Sequence, residues 1–128
     1  MPLSGNAPPL TALGSRARRL ALPVPADLDA AIRQAIHARR IVELDARGLH
    51  RVAEVHVYGL CNGIPELLLF QLAGETRSGA LPHWRRVKIA DISAFTLTSR
   101  VFSGPRAGEH NKWDLVIAQV LESVAERP

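Results

Sequence analysis

The chain is poor in the residue types that most chemistry needs. A single cysteine, Cys61, rules out an internal disulfide, and no His or Cys stands near it in sequence to complete a metal motif. Cys61 reads as a small apolar residue. The five histidines, at 37, 50, 56, 83 and 110, lack the short spacings of a metal site. There is no Gly-x-Gly-x-x-Gly turn, no nucleophile motif and no paired-carboxylate arrangement. These absences point away from an enzyme, from a bound metal and from a cofactor. No apolar run approaches the roughly 20 residues that a membrane helix needs, and the start of the chain lacks the continuous apolar stretch of a secretory signal. A cytoplasmic protein without a membrane partner is expected.

Acid is missing from the first 25 residues, which hold five of the nine prolines and the cluster Arg16, Arg18 and Arg19. Residues 1–25 read as a disordered basic arm. The remainder has the 47% hydrophobic share of one globular domain in a 128-residue chain. Net charge is +4, which allows a polyanionic partner without demanding one. Its distribution says more, because Arg77, Arg85, Arg86, Lys88, Arg100 and Arg106 face only Asp91 between Thr76 and Arg106.

Hydrophobic periodicity orders the rest. Asp27 can cap a helix whose positions Leu28, Ala31, Ile32, Ala35 and Ile36 repeat every 3.6 residues, with Arg39 and Arg40 at its C-terminal end. The period then changes. "IVELDA" at 41–46 and "HRVAEVHVYGL" at 50–60 form a hairpin across Arg47, Gly48 and Leu49, and "IPELLLFQLAG" is a third, interior strand. "HWRRVKI" and "DISAFTLT" follow as strands four and five with almost no gap, so a sharp bend joins them. The loop "GETRSG" at 74–79 reads as a mobile connection and a candidate lid. Asn111 can cap a C-terminal amphipathic helix bearing Trp113, Val116, Ile117, Val120, Leu121 and Val124. The expected class is mainly β (α+β), a small five-stranded barrel at 26–103 with a leading helix, followed by a linker and C-terminal helix at 104–128.

The helix, the five strands and the residues at their joints resemble the WYL domain, a family of SH3-like (Sm-like) barrels found mostly in bacterial transcription regulators. Arg51 opens strand two, "RRVKIADI" at 85–92 lies in register with the family's last signature, and Phe102 fits its closing aromatic. The sequence departs from the family at the naming tripeptide, which is "LLL" at 67–69, and at Val87, Ala90 and Asp91. The winged helix-turn-helix that usually precedes the domain is missing as well. The resemblance implies a stand-alone ligand-sensing or regulatory module that binds nucleic acid or a nucleotide-like anion through basic residues.

Strand parity sharpens the candidates. Trp84, Arg86 and Lys88 share one face of the fourth strand, and Arg85 shares the other with Val87 and Ile89. In the second strand Arg51 lies with Ala53, Val55 and Val57, opposite His50, Glu54, His56 and Tyr58, a row that reads as a solvent-facing polar face. A charge on a core-facing position must pair, reach the rim or meet a ligand. Arg51 and Arg85 either pair with a carboxylate such as Glu43, Asp45 or Asp91, or converge on an anion at one barrel opening. Gln71 could add hydrogen bonds to a base or ribose, or be a buried amide satisfied by backbone. Trp84 could stack on a base or belong to the core. Arg86 and Lys88 make either a solvated face or a supplementary phosphate stripe. The alternative is a protein-interaction module acting through sheet edges or the C-terminal helix, with a protein partner or as a homodimer.

Overall fold

The computed structural model describes residues 24–77, 79–106 and 119–124. Among the described residues, a helix, α1 (Ala26–His37), precedes strands β1 (Arg40–Ala46), β2 (Leu49–Cys61), β3 (Ile64–Gly74), β4 (His83–Lys88), β5 (Ile92–Val101) and β6 (Gln119–Ser123), with a 3₁₀ turn at Ile89–Asp91. The fold is mainly β: one antiparallel six-stranded sheet ordered β4-β3-β2-β1-β5, with β6 also paired to β2.

Local chemistry explains most of these elements. Arg47 and Gly48 (φ 55° and 77°) form a two-residue turn between β1 and β2, and Asn62 and Gly63 (φ 53° and 80°) do the same between β2 and β3. Positive φ at both positions matches the right-handed twist of the flanking strands. In α1, Ile32, Ala35 and Ile36 are buried as their spacing predicts. Asp27 is not its cap: Pro25 holds that position without a side-chain bond, and Asp27 and Asp29 lie in the first turn, where negative charge suits the helix dipole. Arg39 and Arg40 fall beyond the helix, because Arg39 turns into a left-handed conformation (φ 56°) and Arg40 opens β1.

The sheet is rolled. Lys88, at the end of β4, is opposite Glu66, which is opposite Gly59, whereas Ile92, at the start of β5, is opposite Ala46, which is opposite Leu49. Laid flat, those two ends would stand about 33 Å apart along β2 and about 19 Å apart across the strands. The three-residue 3₁₀ turn joins them, and that much chain reaches at most about 14 Å. Strong coiling is therefore required, although no ladder joins β4 to β5 and the sheet stays open at that seam. The bend expected between strands four and five is this turn.

Residues 119–123 correct the C-terminal helix. They form β6, which pairs Leu60, Gly59, Tyr58 and Val57 on the edge of β2 that β1, ending at the Ile41–Glu54 pair, leaves free. Unpaired backbone groups on the far half of a 13-residue strand need partners, and this segment supplies them. The earlier part of the expected helix, 111–118, lies outside the described residues, as do residues 1–23 of the basic arm expected at 1–25.

The main core gathers Ile32, Ile36, Val42, Leu44, Val55, Tyr58, Leu67, Leu69, Val87 and Ile89 between α1 and the concave side of the sheet. Tyr58 clamps the helix: its hydroxyl donates to Asp29 Oδ1 at 2.8 Å, and Arg33 Nε reaches the same carboxylate at 3.1 Å. Arg33 also lies over the Tyr58 ring, 5.3 Å from its centre, and donates to Leu121 O at 3.2 Å, so one side chain ties α1 to β2 and β6. Burial and the bond to Asp29 push the Tyr58 hydroxyl up to about 12. Among the described residues no helix is long and apolar enough to cross a membrane.

Candidate anion site

β2 does not keep one parity along its length. Its pairing with β3 slips between Val55 and Val57, so His56 is an extra residue in the ladder. Before the slip, Ala53 and Val55 face the main core; after it, Tyr58 does, while Val57 joins Leu68 and Trp84 in a second cluster. The row His50, Glu54, His56, Tyr58, expected to face solvent, is therefore split. His50 alone is exposed, with ring nitrogens 2.6 Å from Asp45 and 3.1 Å from Glu43. Glu54 and His56 are buried together, 2.9 Å apart, with the His56 ring 5.0 Å from Trp84 and 5.1 Å from Phe102.

Arg106 completes that second cluster, donating to both oxygens of Glu54 at 2.7 and 2.8 Å and lying 4.1 Å over the Phe70 ring. Burial works to raise the Glu54 carboxyl, but the bonds from Arg106 and His56 outweigh it and hold the group below its usual range. Trp84 belongs here, buried edge-on against Phe70 at 5.2 Å. Its ring packs against His56 and Phe70 and the residue is 6% exposed, which fits the core alternative.

On β4 the alternation holds. Val87 enters the main core beside a half-buried Arg85, while Arg86 and Lys88 are exposed. Between β4 and the β1–β2 hairpin lies a cleft of about 360 Å³, and it brings together Arg51 and Arg85 with Arg47, Arg77, Arg86 and Lys88. Leu49, Val87, Thr76, Glu66 and Asp91 complete the lining. The roll of the sheet is the cause, since it carries the start of β2 against the edge strand. Sequence reasoning found Arg51, Arg85, Arg86 and Lys88, and counted Arg77 in the basic stretch from Thr76 to Arg106 without naming it a site residue. Arg47 was missed, because a turn residue far along the chain from 76–106 carries no periodic signal.

Arg51 is the floor of the cleft, 8% exposed. It forms no ion pair among the described residues. Glu43 and Asp45, proposed partners on sequence grounds, are held by His50 instead. The Arg51 Nη1 group donates to Gln71 Oε1 at 2.9 Å, and its Nε is buried with no hydrogen-bond partner. Burial, followed by repulsion from Arg85, Arg77 and Arg47, holds the guanidinium below its usual range. Gln71 is fully buried, and its amide donates to Ala73 O at 3.1 Å and Glu75 O at 3.0 Å. It therefore positions Arg51 and is withdrawn from any ligand.

The other cations are held from separate elements. Arg85 Nη2 donates to Thr76 Oγ1 at 2.9 Å, and Arg77 Nη2 donates to Arg47 O at 3.2 Å. Arg86 lies 2.7 Å from Glu66, which neutralises that carboxylate and one cation together. Gly74 makes the approach possible: at φ +100° it faces the β2 backbone so closely that a Cβ would sit 2.3 Å from His50 O and 2.9 Å from the Arg51 Cα. Six cations against two carboxylates make this a strongly positive concavity. No family model matches this chain, and neither does any curated protein or solved structure.

Proposed function

We propose that this protein is a non-catalytic WYL-like module, an SH3-like barrel left open at one seam, which binds nucleic acid or a nucleotide-like anion through its arginine cleft. One observation carries the proposal: Arg51 is nearly fully buried, keeps its charge without an ion-pair partner among the described residues, and presents a bare Nε among three further arginines. A buried guanidinium left without a counter-charge costs several kcal/mol. An anion arriving in the cleft offsets that cost, and arginine forks match phosphate oxygens in pairs. The rolled sheet, the 3₁₀ bend before β5 and the position of Phe102 support the barrel reading.

Fluorescence anisotropy with a labelled oligonucleotide and a labelled nucleotide tests it. Arg51→Met and Arg85→Ala should each weaken binding by about 1.5 to 3 kcal/mol, the scale of a charge-assisted hydrogen bond. Arg86→Ala should do far less to the nucleotide, because that side chain is engaged with Glu66. Unchanged affinity in folded Arg51→Met and Arg85→Ala proteins would refute the cleft as the site.

A second reading, a homotypic interaction module, draws on β5. This ten-residue edge strand carries no charge from Ile92 to Ser99 and ends at Val101, a large apolar side chain that is 63% exposed. Edges without charges or proline invite pairing with another strand. Thr96→Lys should abolish any dimer seen by light scattering at raised concentration, while leaving anion binding intact.

A further inference from the structure

We propose that the cleft takes a di- or triphosphate group and reads its charge, leaving an attached base unread. This deepens the anion-site reading and rests on it. The cations form two tiers: Arg51 and Arg85 below, Arg47 and Arg77 at the rim. With Arg86 and Lys88 the lining holds six positive side chains against Glu66 and Asp91. A phosphate monoester brings a charge of about −1.5 to −2 at neutral pH. One such group leaves the cleft well short of neutral, and a second or third phosphoryl group brings it close.

The lining also says what the cleft does not recognise. Among the described residues, Leu49 and Val87 are its only apolar lining, and none of the lining side chains is aromatic. Reading a base takes fixed hydrogen-bonding groups along its edge, usually beside an aromatic ring on which it stacks. Trp84 and Phe70 are packed against each other in the second cluster and line a different cavity. The side-chain donors are five guanidinium groups, the Lys88 ammonium and the Thr76 hydroxyl, and the Gln71 amide beneath them has both of its donated bonds committed to backbone carbonyls. About 360 Å³ lies at the small end of ligand pockets, room for a phosphate chain with a nucleoside left outside.

Displacement of a labelled nucleoside triphosphate at fixed ionic strength decides the matter, with inorganic orthophosphate, pyrophosphate, tripolyphosphate, ATP, GTP and AMP as competitors. Tripolyphosphate, ATP and GTP should compete within about threefold of one another, and orthophosphate and AMP at least about tenfold more weakly, one charge-assisted contact being worth that much. Arg77→Ala, an exposed rim change that leaves the core untouched, should narrow the gap between tripolyphosphate and orthophosphate. AMP competing as well as ATP, or ATP and GTP differing by about tenfold or more, would overturn the charge-reading proposal while the cleft remained an anion site. Binding of the probe that no inorganic phosphate displaces, and that survives Arg51→Met, would overturn the anion-site reading too.

Discussion

Arg51 and Gln71 are joined across β2 and β3 by a buried hydrogen bond of 2.9 Å, in which a neutral amide oxygen, not a carboxylate, receives the guanidinium. The choice of acceptor matters. An amide orients the charge without cancelling it, so the positive potential remains for a ligand. A Gln71→Glu substitution would turn this contact into an ion pair of similar shape. It also replaces the amide that donates to Ala73 O and Glu75 O with a carboxylate oxygen facing those two carbonyls, so it should lower the melting temperature at neutral pH and, by cancelling the Arg51 charge, weaken anion binding by about 1.5 kcal/mol or more. Gln71→Leu should lower the melting temperature too, but it leaves the Arg51 charge uncancelled and should weaken binding less. Thermal melts paired with probe titrations of the two variants check the contrast; anion binding undiminished in Gln71→Glu would count against the role assigned to Arg51.

Gly74 should tolerate no side chain. A Cβ there would meet His50 O at 2.3 Å, and the φ of +100° is strained for any L-residue. Since Glu75 N donates to His50 O at 2.7 Å, the β3 end cannot move away without losing that bond. Gly74→Ala is expected to cost at least about 1 to 3 kcal/mol in urea unfolding, and to reduce anion affinity by shifting the Arg51 backbone.

Arg106→Ala should expose how much Glu54 depends on its partner. The wild-type carboxyl is held below its ordinary 4.5, so its contribution to stability is present above that value and is lost as pH falls through the lowered folded value. Without Arg106, which is itself 42% exposed, Glu54 keeps only His56 and the burial that opposes its charge. The variant should lose about 1 to 3 kcal/mol at pH 7 and show a smaller deficit near pH 4, where the carboxyl takes a proton. Denaturant midpoints at the two pH values measure this; an equal deficit at both would remove Glu54 ionisation as the cause.

Tyr58→Phe isolates the bond to Asp29. The Tyr58 hydroxyl is the largest influence holding the Asp29 carboxyl below 3.8, ahead of opposing burial and of Arg33. Asp29 therefore stabilises the fold above that value, and the gain disappears as pH drops through the lowered folded value. Loss of the hydroxyl should cost about 0.5 to 1.5 kcal/mol at neutral pH. It should also make the acid limb of the stability profile shallower, because Asp29 then titrates closer to its unfolded value. Hydrogen exchange should show β6 loosening less than in Arg33→Ala, which loses the bond to Leu121 O.

Much was legible without tertiary information, for a local reason. The apolar repeat of α1, the turn between β1 and β2, the run of apolar residues in β3 and the face shared by Arg85 and Val87 each depend on a few neighbouring residues and on backbone geometry. Where pairing is regular, period alone assigns a face. The bulge at His56 escaped because an extra residue is visible only against the partner strand, and it reversed Tyr58, Val57 and the supposed polar row together. β6 escaped because "VLESV" carries apolar spacing compatible with a helix, while the unpaired half of β2, created by the difference in length between β1 and β2, decided in favour of a strand. The cleft belongs to the same class. Arginines 47, 51, 77 and 85 come from a turn, two strands and a loop, and only the roll of the sheet sets their charges around one cavity, since electrostatic convergence is a property of distances through space and leaves no period in the chain.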